Sequence, residues 1–278
     1  ALGLARLFED DLEVARMLRR VGVVHMVEGD YDESLARLQE SLAAHQGLTD
    51  KTERAHVLNN IGDLHRLRGS PEQALRNFHE SLQIHESTDN LAGIGSILNN
   101  IGLVNIQQGN YVAAMENLQK AGALQAKLND RSEPARVLNN IGMVYLAQGD
   151  HSKALENFQQ TLAAFEANGD RSGIAGALQN IGDAYQAQGE TTKALGALER
   201  SLAIFEELDQ EPETAITLTV IGKLHLAQNT LAAAHASLAR ALTLFESIGD
   251  KNGIASTLLQ IGVVHKKQAL HAKGLELA

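Results

Sequence analysis

No cysteine occurs anywhere in the 278 residues. That excludes disulfides, thiolate metal sites and cysteine catalysis, and it fits a reducing compartment, so the expected location is cytoplasmic. Proline is scarce, at 3 residues, and most of the 24 glycines mark fixed points in a repeat. No apolar run approaches the ~18 residues that a membrane span needs. No basic segment followed by an apolar core opens the chain, so no signal peptide is visible and no membrane partner is expected. Positive charge is also short. The formal net charge is −10, which argues against nucleic acid as a partner, since phosphate contact needs clustered Lys and Arg. What is present, 44% hydrophobic and 21% charged residues, suffices for a large folded structure.

Self-comparison is the decisive step. Gly22, Gly62, Gly102, Gly142, Gly182, Gly222 and Gly262 form a series spaced by forty. Four residues before each lies a Leu, from Leu18 and Leu58 to Leu218 and Leu258, and each Gly follows Val or Ile. A second Gly stands at 29, 69, 109, 149 and 189, replaced by Asn229 and Ala269. A small residue then recurs at Ser34, Ala74, Ala114, Ala154, Ala194, Ala234 and Gly274. It is followed four positions on by Leu38, Phe78, Leu118, Phe158, Leu198 or Leu238.

Each unit reads as two helices. Leu58, Ile61, Gly62 and His65 share one helical stripe. Gly69 suits the left-handed residue that ends a helix. Ser70 is a candidate cap for the next helix, with Pro71 in its first turn and Gln73 completing a capping box; Asp30 and Glu33 repeat that logic. The second helix puts Ala74, Phe78, Ser81 and Leu82 on one face. Asp50, Asp130, Asp170 and Asp250 are expected to cap the first helices that follow. Gly62 and Ala74, with their equivalents, let the paired helices approach closely. One such pair cannot bury its own apolar face, so the units must stack into a solenoid.

The pattern Leu58…Ile61-Gly62…His65…Gly69…Ala74…Phe78 resembles the tetratricopeptide repeat, in the forty-residue, long-helix variety of bacterial signalling proteins, kinesin light chains and polarity adaptors. The resemblance implies an all-α, right-handed superhelical solenoid of antiparallel helix pairs with about seven registers. Six complete repeats are expected at 10–49, 50–89, 90–129, 130–169, 170–209 and 210–249 within one domain, 1–278. Residues 1–9 would be the tail of a preceding second helix, and 250–278 a partial repeat. Neither end carries the polar cap that a solenoid normally needs. The chain therefore reads as a segment of a longer array, with end-to-end self-association as the alternative.

In this family the first helices line a concave groove. Carried over by register, the groove receives Asn59, Asn60, Asp63 and Arg66 from one repeat and Asn99 and Asn100 from the next. Arg136, Asn139 and Asn140 follow, then Gln179, Asn180 and Asp183. Arg16, Arg19 and Arg20 make the first repeat basic. An Asn amide both donates and accepts, so it can meet the N–H and C=O of an extended peptide. Helices packed ~10 Å apart would present a rung about every third residue of that peptide. The series Asn60, Asn100, Asn140, Asn180 is similar to the asparagine ladder of peptide-holding members. The alternative is that these amides tie helix to helix. Toward the C-terminus the groove turns apolar, with Ile216, Val220, Leu226, Leu259 and Val263. The Lys of chaperone-binding relatives is missing from the groove.

His25, His65, His225 and His265 recur once per repeat at the family's Tyr position and read as packing, not as metal ligands. No nucleophile–base constellation, Walker loop or dinucleotide fingerprint appears, so neither catalysis nor a cofactor is expected. The expected function is a non-catalytic interaction module that binds a protein or peptide of acidic character. The alternatives are a sensor or regulatory arm of a larger bacterial signalling protein and a self-assembling scaffold.

Overall fold

A computed structural model describes the backbone of residues 11–44, 51–128 and 133–276, and the side chains of 12–44, 51–128 and 134–270. The expected tail at 1–9 and the expected caps Asp50 and Asp130 lie outside those residues. Thirteen α-helices and no strand occur among the described residues. In chain order they are α1 (Asp11–Val27), α2 (Tyr31–Ala44), α3 (Lys51–Leu67), α4 (Pro71–Ser87), α5 (Leu91–Gln107) and α6 (Tyr111–Lys127). There follow α7 (Glu133–Ala147), α8 (His151–Asn168), α9 (Arg171–Ala187), α10 (Thr191–Glu207), α11 (Glu211–Ala227), α12 (Leu231–Ile248) and α13 (Lys251–Glu276).

The chain divides into two units, 1–144 and 145–278, the division falling within α7. In the first unit, α1 packs on α2, α3 on α4 and α5 on α6, and each pair packs on the next. In the second, α9 packs on α8 and α10, α11 on α10 and α12, and α13 on α12. Each unit is a stack of antiparallel helix pairs, the arrangement that the forty-residue period predicts.

The glycine series shows why the pairs close. A Cβ on Gly62 would lie 2.6 Å from Phe78 Cε1. Gly22, Gly102, Gly182 and Gly222 face Leu38, Leu118, Leu198 and Leu238 in the same way. The glycine therefore makes room for the large residue sixteen positions on, and Ala74 packs beside it. Phe78 is fully buried, which stabilises the fold by about 1.5–3 kcal/mol relative to an exposed ring. Buried hydroxyls add a second tie. Ser41, Ser81 and Ser201 each donate to a backbone carbonyl of the paired first helix, at Ala15, Ala55 and Ala175, over 2.7–2.8 Å. Ala121 and Ala241 fill the same register without the bond.

The helix ends differ in detail from expectation. Gly69 is left-handed as required, at φ +70°, and Asn229 takes over that role at φ 61°. Ala269 does not: α13 runs straight through it to Glu276, because alanine is the best helix former and disfavours a left-handed stop. The second helix expected after 270 is thus continuous with the first. Ser70 stands at the N-cap of α4 but makes no side-chain cap bond, so the capping box there is not formed; Pro71 does occupy the first turn. Asp170 and Asp250 cap as expected, accepting from the amides of Gly173 at 2.9 Å and Gly253 at 3.0 Å.

Candidate functional site

The first helices α3, α5 and α7 place their asparagines so that neighbouring repeats bond. Asn100 Nδ2 donates to Asn59 Oδ1, and Asn140 Nδ2 donates to Asn99 Oδ1, both at 2.8 Å. The step is forty-one residues, not forty. The first Asn of each pair accepts from the second Asn of the following repeat. These amides therefore do tie helix to helix, and one oxygen and one N–H of each bonded pair are consumed. Asn99 and Asn140 are 7% exposed, whereas Asn59, Asn60, Asn100 and Asn139 are half-buried. In the second unit the tie changes partner and weakens. Gln179 Nε2 reaches Thr217 Oγ1 at 3.4 Å, while Thr217 itself donates to the Glu213 carbonyl at 2.8 Å. Asn180 is half-buried.

The arginines do not stand alone. Arg19 Nε donates to Glu53 at 3.2 Å, and Arg16 Nε lies 3.6 Å from the same carboxylate. Arg16 and Arg19 thus share one carboxylate, and Arg20 beside them is exposed. Arg66 is offset within its own helix by Asp63, 2.7 Å away. Arg136 is exposed. Asp183 sits half-buried, and burial raises its carboxyl above the usual range. The apolar set divides. Ile216, Leu259 and Val263 are exposed, Val220 is partly covered, and Leu226 is buried at 8% exposure, where it packs with Ala234, Leu238 and Val264.

Three features were not read from sequence: Glu53 as the anchor of two arginines, the buried His85, and the glycine beneath it. A Cβ on Gly93 would lie 2.4 Å from His85 Nδ1; Gly173 stands in that relation to Phe165, and Gly253 to Phe245. The spacing of these pairs is eighty, so a search at forty passes over them. Among the described residues no group of three or more His, Asp or Glu is placed to hold a metal ion, and no helix is long and apolar enough to cross a membrane.

Three stretches, 13–87, 93–167 and 173–247, match the family model of the tetratricopeptide repeat. The chain belongs to that family. Each stretch spans two forty-residue repeats. No curated protein matches it. Among solved structures it is similar to a Rap protein complexed with Competence and Sporulation Factor, at 14% identity and TM-score 0.70, covering 93% of this chain and 76% of that one. It is also similar to BtubC from P. vanneervenii, at 20% identity and TM-score 0.62, covering 75% and 88%. A STAND signal-transduction ATPase with a tetratricopeptide repeat sensor, from Pyrococcus horikoshii, matches at 15% identity and TM-score 0.65, over 95% of this chain and 43% of that one. At these identities the likeness is one of fold.

Proposed function

We propose that the chain is an interaction module whose first-helix face holds an extended segment of a partner protein. The observation that carries this reading is the pair of inter-repeat amide bonds. Each uses one acceptor and one donor and leaves the Nδ2 of the first Asn and the Oδ1 of the second for a ligand. The ties hold neighbouring first helices in register, so the remaining groups are presented at fixed intervals. In the first unit half-buried Asn59, Asn60, Asn100 and Asn139 are the rungs, with Asp63 on the same face; in the second unit Gln179, Asn180 and Asp183 stand at the corresponding registers. In the first unit Arg16, Arg19, Arg20, Arg66 and Arg136 favour an acidic segment; in the second the exposed Ile216, Leu259 and Val263 favour apolar residues. No catalytic step is assigned to this face, and the cysteine-free composition suits the cytoplasm.

The test is a pulldown from lysate, followed by calorimetry with the captured partner, comparing wild type with Asn100→Ala plus Asn140→Ala. Binding should fall at least tenfold while the thermal midpoint drops by only a few degrees, the two lost ties costing about 1–3 kcal/mol together. Unchanged affinity for every partner would sink the rung proposal. The module is further proposed to serve as a regulatory arm, a role suggested by the sensor region named in the STAND protein and by the Competence and Sporulation Factor named in the Rap complex. Self-association is the other reading. It is supported by α13, where Leu258, Leu259, Val263 and Leu270 are exposed together. Monomeric sedimentation at high concentration would remove it.

A further inference from the structure

Between α3 and α5 lies a cavity of ≈ 240 Å³, bordered by His56, Asn59, His85, Asn90, Gly93 and Ser96. That is several times the roughly 30 Å³ share of one water. Asn59 also belongs to the row of rungs, so the cavity opens off that row. Displaced by 160 residues in sequence, the second unit has a cavity of ≈ 260 Å³ bordered by Ile216, Thr219, Phe245, Asp250, Gly253 and Ser256. These are position-for-position counterparts. A void found twice at one register, floored by Gly and Ser both times, is a built feature of the repeat pair.

The chemistry of the first cavity is one-sided. Asn90 must turn Oδ1 to the Gly93 amide, which it meets at 3.0 Å, so the group it has left is Nδ2. Asn59 gives its Oδ1 to Asn100, so it too has Nδ2 left. Ser96 brings a hydroxyl, and α5 starts here with the positive end of its dipole. Among the described residues no carboxylate borders the cavity. His85 is 1% exposed; its ring face lies over Gly93, and among the described residues its Nδ1 has no hydrogen-bond partner. His56 packs edge-on against it, with ring centroids 5.6 Å apart. A dry, unpartnered imidazole beside three donors, Asn59 Nδ2, Asn90 Nδ2 and the Ser96 hydroxyl, leaves the cavity with polar groups to be met by a ligand.

We propose that this cavity is a side-chain subsite that takes the carboxylate of a Glu or Asp in the bound segment. The inference rests on the reading of the first-helix face as peptide-binding. It assigns the acidic preference to one place, separate from the arginines of the first repeat. The counterpart cavity is lined differently: Asp250 replaces Asn90, Ile216 replaces His56, Phe245 replaces His85, and Lys223 also borders it.

The test uses a displayed library of random 12-residue peptides selected on the whole chain, with each enriched peptide re-measured against three variants. In the first, His56→Ile with His85→Phe gives the first cavity the lining of the second; Phe already lies over Gly at 165 and 245, so the exchange suits the fold. The second variant is Arg16→Gln with Arg20→Gln, and the third is Asn100→Ala with Asn140→Ala. The expected result is a Glu or Asp at one fixed position of the enriched peptides. Replacing it by Gln should cost wild type about tenfold, the scale of one charge-assisted hydrogen bond, and cost the His variant nothing. The arginine variant should retain that tenfold discrimination. Peptides that need the asparagines but show no fixed acidic position, or whose acid is still read by the His variant, overturn the subsite and leave the binding face standing. Enriched peptides indifferent to the asparagine variant, or no enrichment at all, overturn both.

Discussion

The two units share a scaffold and differ in surface. Leu58, Ile61 and Gly62 in the first have equivalents Leu218, Ile221 and Gly222 in the second, buried in the same way. Where the first unit sets Asn59 and Asn60, the second sets Thr219 and Val220; where the first buries His85, the second buries Phe245. The amide bonds at 2.8 Å in one become a 3.4 Å contact in the other. Positions that close a helix pair and positions that face its neighbours thus vary independently. The exposed half of a helix can change its chemistry while the packed half stays fixed.

The sharpest break in this comparison lies at the register of the repeated Leu. Leu58 is 1% exposed and Leu258 50%. Leu58→Ala should cost about 2–5 kcal/mol, the range for a fully buried leucine. Leu258→Ala should cost less than about 1 kcal/mol, both read by denaturant unfolding of the 278-residue chain. Equal losses would mean that α13 is covered in solution. The repeated glycine should even reverse sign. Gly62→Ala must push on Phe78, costing about 1–3 kcal/mol of overpacking against the ~1 kcal/mol that alanine gains in a helix, so it destabilises. Gly262→Ala meets nothing within 4 Å and should stabilise by up to ~1 kcal/mol.

Acid should separate the units next. Burial lowers the imidazole of His85, helped by nearby His56, and burial lowers that of His65, helped by Arg68 and Arg76. A depressed histidine is held neutral in the fold. The unfolded chain therefore binds the proton more readily, and stability present above the ordinary histidine range is lost as pH falls through it. Hydrogen exchange at pH 5 should show α3–α5 losing more protection, relative to pH 8, than α10–α12. His85→Phe should remove part of the difference; an acid response unchanged by that substitution would refute the assignment. The smallest effect belongs to the amide tie. A double-mutant cycle on Asn59 and Asn100 should give about 0.5–1.5 kcal/mol of coupling, the net worth of one hydrogen bond. The Gln179–Thr217 cycle should give close to none, because that contact is long, at 3.4 Å.

The helix pairs, the close approach at Gly62 and the buried second-helix stripe were legible in sequence, because packing repeats with the chain and a period of forty displays it. The continuation of α13 through Ala269 was not, since a repeat pattern assumes each unit ends where the last one did. The asparagines were legible as a polar row. Bonding from helix to helix was the alternative reading; the partners were not legible, because a step of forty-one joins two letters that a forty-residue alignment keeps in separate columns. Glu53 was invisible as an anchor for the same reason: Arg16 and Arg19 belong to one repeat and the carboxylate to the next. Leu226 was expected on the groove and is buried, since its side chain turns toward Ala234 and Val264 in place of solvent.

The glycines at 93, 173 and 253 bear on how such a chain can lengthen. They alternate with Glu133 and Glu213, so neighbouring repeats are unlike and every second one is alike. Copying or losing a single forty-residue repeat would set two like repeats side by side and shift every later subsite out of phase. An eighty-residue step leaves the phase untouched. At this register the unit that repeats is therefore the pair of helix pairs, eighty residues long.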